Sequence, residues 1–270
     1  MATKDSTRLK IKKPKTKKLD LGLSQEQESF LEQAAKLENK PLVNFILEAA
    51  YQAAENVMLD QRRFLLKPKQ WSLFIAALDA PAKVLPHLSQ IIPDQPATKS
   101  KKKGKAMEPR RFKKKHDVSQ FDCGNESLNV WLKKSGLESD TSRSTFTHVL
   151  AEKNKVIAYY SFTVGSVEPE DGQAKAGKGD GRGAIPILLL NRIAIDKRYH
   201  GQGLSAMLTR HALWRAYLLS KESVPLRCLV VVAANKAAES FYSGLDFQPW
   251  PVDPWRMWLL IKDLKHTLAR

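Results

Sequence analysis

Two glycines set two positions apart constrain this chain more than any other feature. They stand in the run Arg198-Tyr199-His200-Gly201-Gln202-Gly203-Leu204, directly after the apolar, strand-like stretch from Leu188 to Ile195. The order predicts a buried strand that ends in a tight loop and passes at once into a helix. Glycine lets the main chain approach a ligand without a Cβ in the way, and the new helix turns its free N–H groups and positive dipole end toward the same point. Such a loop suits a pyrophosphate, although alone it also fits an ordinary strand-to-helix turn. A second strand-like run, Leu229 to Ala233, leads into Asn235-x-x-Ala238-x-x-Phe241-Tyr242 and then Leu245-Asp246-Phe247.

Together these two blocks resemble the GNAT acetyltransferase superfamily. The resemblance implies a mixed central sheet flanked by helices, with acetyl-CoA as co-substrate in the gap where two neighbouring strands splay apart. Backbone groups of Ile193, Ala194 and Ile195 would pair with the pantetheine arm and polarise the thioester carbonyl. Arg198, His200, Gly201, Gln202, Gly203, Leu204 and Ser205 would hold the pyrophosphate, Asn235 would reach the pantetheine arm, and Phe241 would also touch the cofactor. Tyr242 would protonate the departing thiolate; a free phenol, with a pKa near ~10, needs no large shift for that task. Its plain alternative is a packing aromatic at a strand-helix junction. Where the superfamily usually has glycine this chain has Asp246, a residue that tolerates the left-handed backbone better than most.

Charge divides the chain. Residues 1–115 hold 25 Lys and Arg against 12 Asp and Glu, and residues 116–270 hold 20 against 16. The excess sits in Lys10 to Lys18 and Lys99 to Lys115, runs that suit either a solvated segment or a phosphate backbone. Cys123 and Cys228 lie far apart and form no metal-ligand pattern, so no metal is expected, and the usage fits a reducing cytoplasm. No stretch reaches 18 uninterrupted apolar residues and no apolar core follows the basic start, so neither a membrane span nor a signal peptide is expected. His116, His148, His200 and His211 read as structural or surface residues, His200 alone lying where it could touch a ligand.

Near the start, Leu19, Leu21 and Leu23 alternate as in a short strand. Ser24 and Gln27 form a capping box for a helix with Phe30, Leu31, Ala34, Ala35 and Leu37 on its apolar face. Asn39-Lys40-Pro41 breaks that helix, and Leu42, Phe45, Ile46, Ala49, Ala50 and Ala53 mark a second. One strand and two helices cannot bury their apolar faces alone, so a homodimer or higher even oligomer is the physical expectation. This pattern resembles the ribbon-helix-helix fold, which implies operator DNA as a partner; Lys15, Lys17 and Lys18 are the candidate DNA contacts. Asp20 and Gly22 stand where a base reader would normally be, so specific reading is expected to be weak.

Downstream, Trp71, Phe74, Ile75 and Leu78 repeat at helical spacing before Asp79-Ala80-Pro81. Residues 19–92 as a whole resemble the TacA-like antitoxins, in which this tail wraps the toxin; Trp71, Phe74 and Leu78 would then be toxin-neutralising. The second half resembles the matching GNAT toxins through Phe121-Asp122-Cys123-Gly124, Leu128-Asn129, Trp131-Leu132, Ser142-Arg143, Tyr159-Tyr160, Ile185-Pro186 and Leu190-x-Arg192-x-Ala194-x-Asp196.

The chain therefore reads as an α+β fusion of antitoxin and toxin: a ribbon-helix-helix domain with a neutralising tail over 1–94, a basic flexible linker over 95–115 and a GNAT domain over 116–270. The resemblance implies acetyl transfer to the amine of an aminoacyl-tRNA, which blocks translation, with Arg143 and Arg192 either gripping the acceptor end or serving as a structural salt bridge or helix-end contact. Glu170 to Gly183 reads as a flexible loop near the substrate face. Two other readings stay open: an N-acetyltransferase for a small amine or a protein, and a DNA-binding autorepressor whose acetyltransferase half is inactive.

Overall fold

The structure, a computed structural model, describes residues 18–91, 107–136, 145–170, 183–222, 225–233, 235–251 and 253–268. The chain divides into two compact units, Met1–Tyr51 and Gln52–Arg270. Among the site expectations, Lys15, Lys17 and Arg143 lie outside the described residues, as does most of Glu170 to Gly183.

In the first unit, helix α1 (Gln25–Leu37) starts where the capping box places it. Ser24 Oγ accepts from the Gln27 amide, and Gln27 Oε1 accepts from the Ser24 amide. Asn39, at φ 52°, turns the chain into α2 (Leu42–Asp60), which runs on past the unit boundary. Residues 18–24 carry no strand, contrary to expectation: a lone extended segment has no neighbour to complete its ladder. Leu19, Phe30, Leu37, Val43 and Leu47 are exposed.

The second unit is built on one eight-stranded sheet. Its strands are β1 (Arg63–Leu66), β2 (Arg110–Arg111), β3 (Phe146–Glu152), β4 (Lys155–Pro169), β5 (Ile185–Ile195), β6 (Cys228–Val232), β7 (Gln248–Pro249) and β8 (Arg256–Leu260), in the order β2-β3-β4-β5-β6-β8-β7. Pairing is antiparallel except for β5 with β6 and for β1, which pairs parallel with the far end of β4 over Ser166–Pro169. Strand β1 takes up the edge of β4 beyond the point where β3 stops pairing, at Phe146 opposite Phe162. Of the expected linker, residues 95–106 lie outside the described residues, while Arg110–Arg111 form β2 on the open edge of β3, with Phe112 buried beside it. The two compact units part within α2, not in that stretch.

Alternation along the strands sorts side chains to two faces. On one face Tyr160, Phe162, Leu188, Leu190, Leu229 and Val231 pack under α6 (Leu204–Glu222), α7 (Lys236–Ser243) and α8 (Ile261–Leu268). On the other, Val167, Ile187, Leu189, Val230 and Trp258 pack under β1 and α3 (Pro68–Asp79), while Val149, Val156 and Tyr159 pack against Phe121 and Leu132. Leu132 lies in the π-helical turn that continues α5 (Glu126–Val130). Helix α4 (Pro86–Ile91) contributes Leu88 to the first face. Among the described residues no helix is long and apolar enough to cross a membrane, and no group of three or more His, Cys, Asp or Glu could hold a metal ion.

Beneath α6 lies a buried aromatic and cationic cluster. The His148 ring stacks on Tyr160 at 5.0 Å, and the Tyr160 hydroxyl meets His211 Nδ1 at 2.8 Å. Burial, then the charges of neighbouring His211, Arg215 and Arg111, hold His148 at about 3; burial and then Arg215 hold His211 at about 4. Both imidazoles fold neutral and would rather protonate in the unfolded chain, at about 6.5, so stability is lost as pH falls below that value. The expected loss is at most about 1.4 kcal/mol per pH unit for each ring, less for the more exposed His211. A thermal melt series from pH 7 to pH 5 checks this. A flat melting temperature, or an unchanged slope in His148→Gln, would remove these rings as the cause.

Candidate active site

Strand β5 is the origin of the site. It pairs with β6 only over Leu188–Leu190, opposite Leu229–Val231, yet continues along β4 to Ile195. Beyond Leu190 its β6-facing edge is left open, and its main-chain groups face a gap between the two strands. A bulge marks the start of the gap: Ser161 pairs with Arg192 and Phe162 with Leu190, which leaves Asn191 over. The predicted strand, loop and helix follow in order. Asp196 caps a 3-10 turn, Lys197–Tyr199; Gly201 and Gly203 take φ 76° and 73°; α6 begins at Leu204.

A cleft of about 460 Å³ occupies this gap. Ile193, Ala194, Ile195, His200, Gly201, Gly203, Leu204, Ser205, Phe241 and Tyr242 all line it, together with Cys123, Asn125, Leu128 and Tyr199. A Cβ on either loop glycine would meet nothing within 4 Å, so the space above the loop is open and the glycines serve backbone conformation. The His200 ring Nε2 donates to the Ile195 carbonyl at 2.9 Å, tying the loop back to the open strand edge.

Three expected ligand residues stand elsewhere. Arg198 turns its guanidinium onto buried Asp196, at 2.8 and 2.7 Å, and onto the Gln120 carbonyl at 3.1 Å. That guanidinium, with backbone donors, holds Asp196 at about 2. Arg198 instead faces a larger cavity of about 910 Å³ beside the β3–β4 hairpin, on the far side of Tyr199. Gln202 is exposed and lines neither cavity. Asn235 caps α7, its side-chain oxygen accepting from the Ala238 amide at 2.9 Å.

Tyr242 ends α7 facing the cleft, and no described residue bonds its hydroxyl. Burial pushes the phenol up to about 12, so the shift that the sequence reading had not called for is present. The group stays protonated across the ordinary pH range, which is what a proton donor requires. Asp246 takes φ 62°, as the sequence suggested it could.

The last part of α2 and the segment after it cover one side of this site. Glu55 accepts from Asn125 Nδ2 at 3.1 Å, and Asn56 accepts from the Ser127 hydroxyl. The Leu59 carbonyl accepts from Asn191 at 2.6 Å, and the Met58 carbonyl from Arg256 at 2.6 Å. Arg192, expected to meet nucleic acid, is 3% exposed; it stacks over Trp131 at 4.5 Å and pairs with Asp60 at 2.7 Å. Further on, Phe74 and Leu78 are buried against Trp258 and its neighbours, with Trp71 partly buried beside them. Lys262 Nζ donates to the carbonyls of Ala77, Leu78 and Ala80, ending α3.

Sequence reasoning missed Asp60, Asn191, Arg256 and Lys262, and it missed Gly165. The Arg62 carbonyl crosses directly over Gly165 and accepts from the Ser166 amide at 2.8 Å; any Cβ at residue 165 would collide with that oxygen. A glycine inside an apolar strand run was the available signal, since it marks close approach of another backbone.

Comparison with known proteins agrees with this fold. A family profile described as Antitoxin TacA 1-like matches residues 18–96. The tRNA-acetylating toxin of Mycobacterium tuberculosis (strain ATCC 25618 / H37Rv) is 32% identical over 163 residues, 60% of this chain and 96% of that protein. Antitoxin TacA1 of Salmonella typhimurium (strain 14028s / SGSC 2262) is 37% identical over 78 residues, 29% of this chain and 82% of that protein. The crystal structure of AtaTR bound with AcCoA has a similar fold, with a TM-score of 0.53 and 26% identity over 59% of this chain and 96% of that one.

Proposed function

The chain belongs to the TacA antitoxin family in its N-terminal part and to the family of the tRNA-acetylating toxin in the remainder, and from that membership we propose an acetyl-CoA-dependent N-acetyltransferase that modifies the amine of aminoacyl-tRNA and is restrained by its own antitoxin half. One observation carries the reading: a single cleft joins an open strand edge, a glycine loop at a helix N-terminus and a buried, protonated phenol.

Acetyl-CoA supplies an acetyl group activated as a thioester. The loop amides around Gly201 to Ser205 and the start of α6 hold the pyrophosphate, a role in which Arg198 serves indirectly by bracing the loop through Asp196. The free edge at Ile193–Ile195 offers main-chain groups to the pantetheine arm and the thioester carbonyl. Tyr242 gives its proton to the sulfur as the carbon–sulfur bond breaks and the carbon–nitrogen bond forms; the amine proton leaves to water.

Arg192, with Arg143, grips the acceptor end when uncovered, and Asp60 competes for that guanidinium in the chain as it stands. Trp71, Phe74 and Leu78 anchor the neutralising segment. The exposed apolar residues of the first unit pair with a second copy, and Lys15, Lys17 and Lys18 give that dimer salt-sensitive contacts to operator DNA. Both substrates place the reaction in the bacterial cytoplasm.

The test follows labelled acetyl from acetyl-CoA into total charged tRNA. Label is expected in N-acetyl amino acid released by mild base. Label only on small amines or on protein would replace this reading with the broader N-acetyltransferase one.

A further inference from the structure

Helix α4 does not behave like the rest of the covering segment. The end of α2 lies over Arg192, whereas α4 enters the core of the acetyl-transfer half. Leu88, fully buried, and Leu85 belong to the same cluster as Tyr242, Leu245, Phe247 and Leu264. The polar contacts converge on one residue. Asp246 accepts from the Leu88 amide at 2.8 Å and from His87 Nδ1 at 2.7 Å.

Asp246 sits in the turn that closes α7. Within that turn the Leu245 and Phe247 amides both donate to the Tyr242 carbonyl, at 3.0 and 3.1 Å, and the Phe247 ring lies 5.4 Å from the Tyr242 ring. The backbone of Asp246 is left-handed, at φ 62°, a conformation that carries a cost for a non-glycine residue. Glycine would remove that cost but could not hold α4. The aspartate supplies the carboxylate that grips His87 and the Leu88 amide. Lys83 and Leu85 set the approach: their amides donate to Asp263 and to the Thr267 hydroxyl on α8, at 2.8 and 3.0 Å.

We propose that Asp246 is a positioning residue that couples α4 to the turn carrying Tyr242, so the last helix of the antitoxin-like segment is a working part of the acetyl-transfer half. The inference rests on the reading of Tyr242 as the proton donor. It separates two jobs within one segment: residues near Asp60 restrain the site, and residues 83–88 help to build it. Activation of this fusion then requires release of the first part with the second kept in place. Removing the whole segment would strip Leu85 and Leu88 from the core beside Tyr242.

The experiment uses the full chain. Asp246→Gly, Asp246→Asn and His87→Ala are each made alone for hydrogen exchange, and together with Gly165→Ala, which is expected to displace the Arg62 carbonyl and β1 after it, for kinetics. Asparagine tolerates the left-handed backbone and keeps an acceptor for the Leu88 amide, so it should restore what glycine loses. Asp246→Gly is expected to lower kcat about tenfold with the KM for acetyl-CoA within about twofold, the mark of a misplaced donor and not of weaker binding. Amides of residues 243–247 should exchange faster in Asp246→Gly and in His87→Ala, with thermal melts confirming that each variant is folded. Unchanged kcat and exchange in Asp246→Gly would overturn the coupling. Tyr242→Phe in the same background separates the two readings. If it leaves kcat unchanged, the acid assignment fails and exchange alone decides the coupling: faster exchange upholds it, unchanged exchange overturns it.

Discussion

Tyr242→Phe is expected to lower kcat by roughly 10²- to 10⁴-fold, the range for loss of a positioned proton donor. The affinity for acetyl-CoA should stay within about twofold, because the substitution removes one hydroxyl and keeps the ring. Stability should hold as well. The phenol is 5% exposed and no described residue bonds its hydroxyl, so a buried polar atom is lost without stranding a partner. The pH profile gives an independent check. With the phenol raised to about 12, no alkaline limb from this group should appear below pH 10. Equilibrium binding of acetyl-CoA and single-turnover transfer measure the two quantities separately. A kcat within threefold of the parent chain would mean that Tyr242 only packs between Phe241 and Phe247.

Gly165→Ala is the second large effect, and here activity should rise. One added carbon collides with the Arg62 carbonyl and presses on the Leu189 side chain at 3.0 Å. The two strands do not yield equally: β4 is held to β5 along its length, while β1 is an edge strand joined to β4 only over Arg63–Leu66. The covering segment is therefore the partner that moves, with loss of the Ser166 to Arg62 bond and of the Arg63 ion pair to Glu168. Overpacking of this kind costs about 1–3 kcal/mol. Acting on the covered state alone, it raises the uncovered fraction about fivefold to somewhat over a hundredfold, because each 1.4 kcal/mol is a factor of ten. Transfer to charged tRNA should rise by that factor, and exchange at residues 58–66 should quicken while α4 stays protected. Unchanged activity with faster exchange at 58–66 would show that covering Arg192 does not restrain the enzyme.

Much of the site could be read before any fold was known. The capping box at Ser24, the turn of Gly201 and Gly203 into α6, and the left-handed Asp246 all depend on residues within a few positions of each other. Tyr242 and Ile193–Ile195 were picked out by the resemblance of two strand-loop-helix blocks to a known superfamily, and one cleft is lined by both. Arg198 and Asn235 sat in the right motifs, yet their side chains are taken up by Asp196 and by the first turn of α7. A motif locates a backbone, and the competition among nearby donors and acceptors decides where a long side chain goes.

What the sequence alone determined was therefore local: where helices begin, where glycine is needed, which run is buried, and that an antitoxin-like and an enzyme-like half share one chain. Only the tertiary structure decided how residues 52–91 are spent. Their partners lie far along the chain, as Asp60 meets Arg192, Arg63 meets Glu168 and Leu88 meets Asp246. Strand β1 has no periodicity long enough to announce itself, and its place depends on an edge of β4 that exists only after the sheet has formed. Such pairings are set by which surfaces remain open once the core has closed, a property of the assembled fold that no short window of sequence contains.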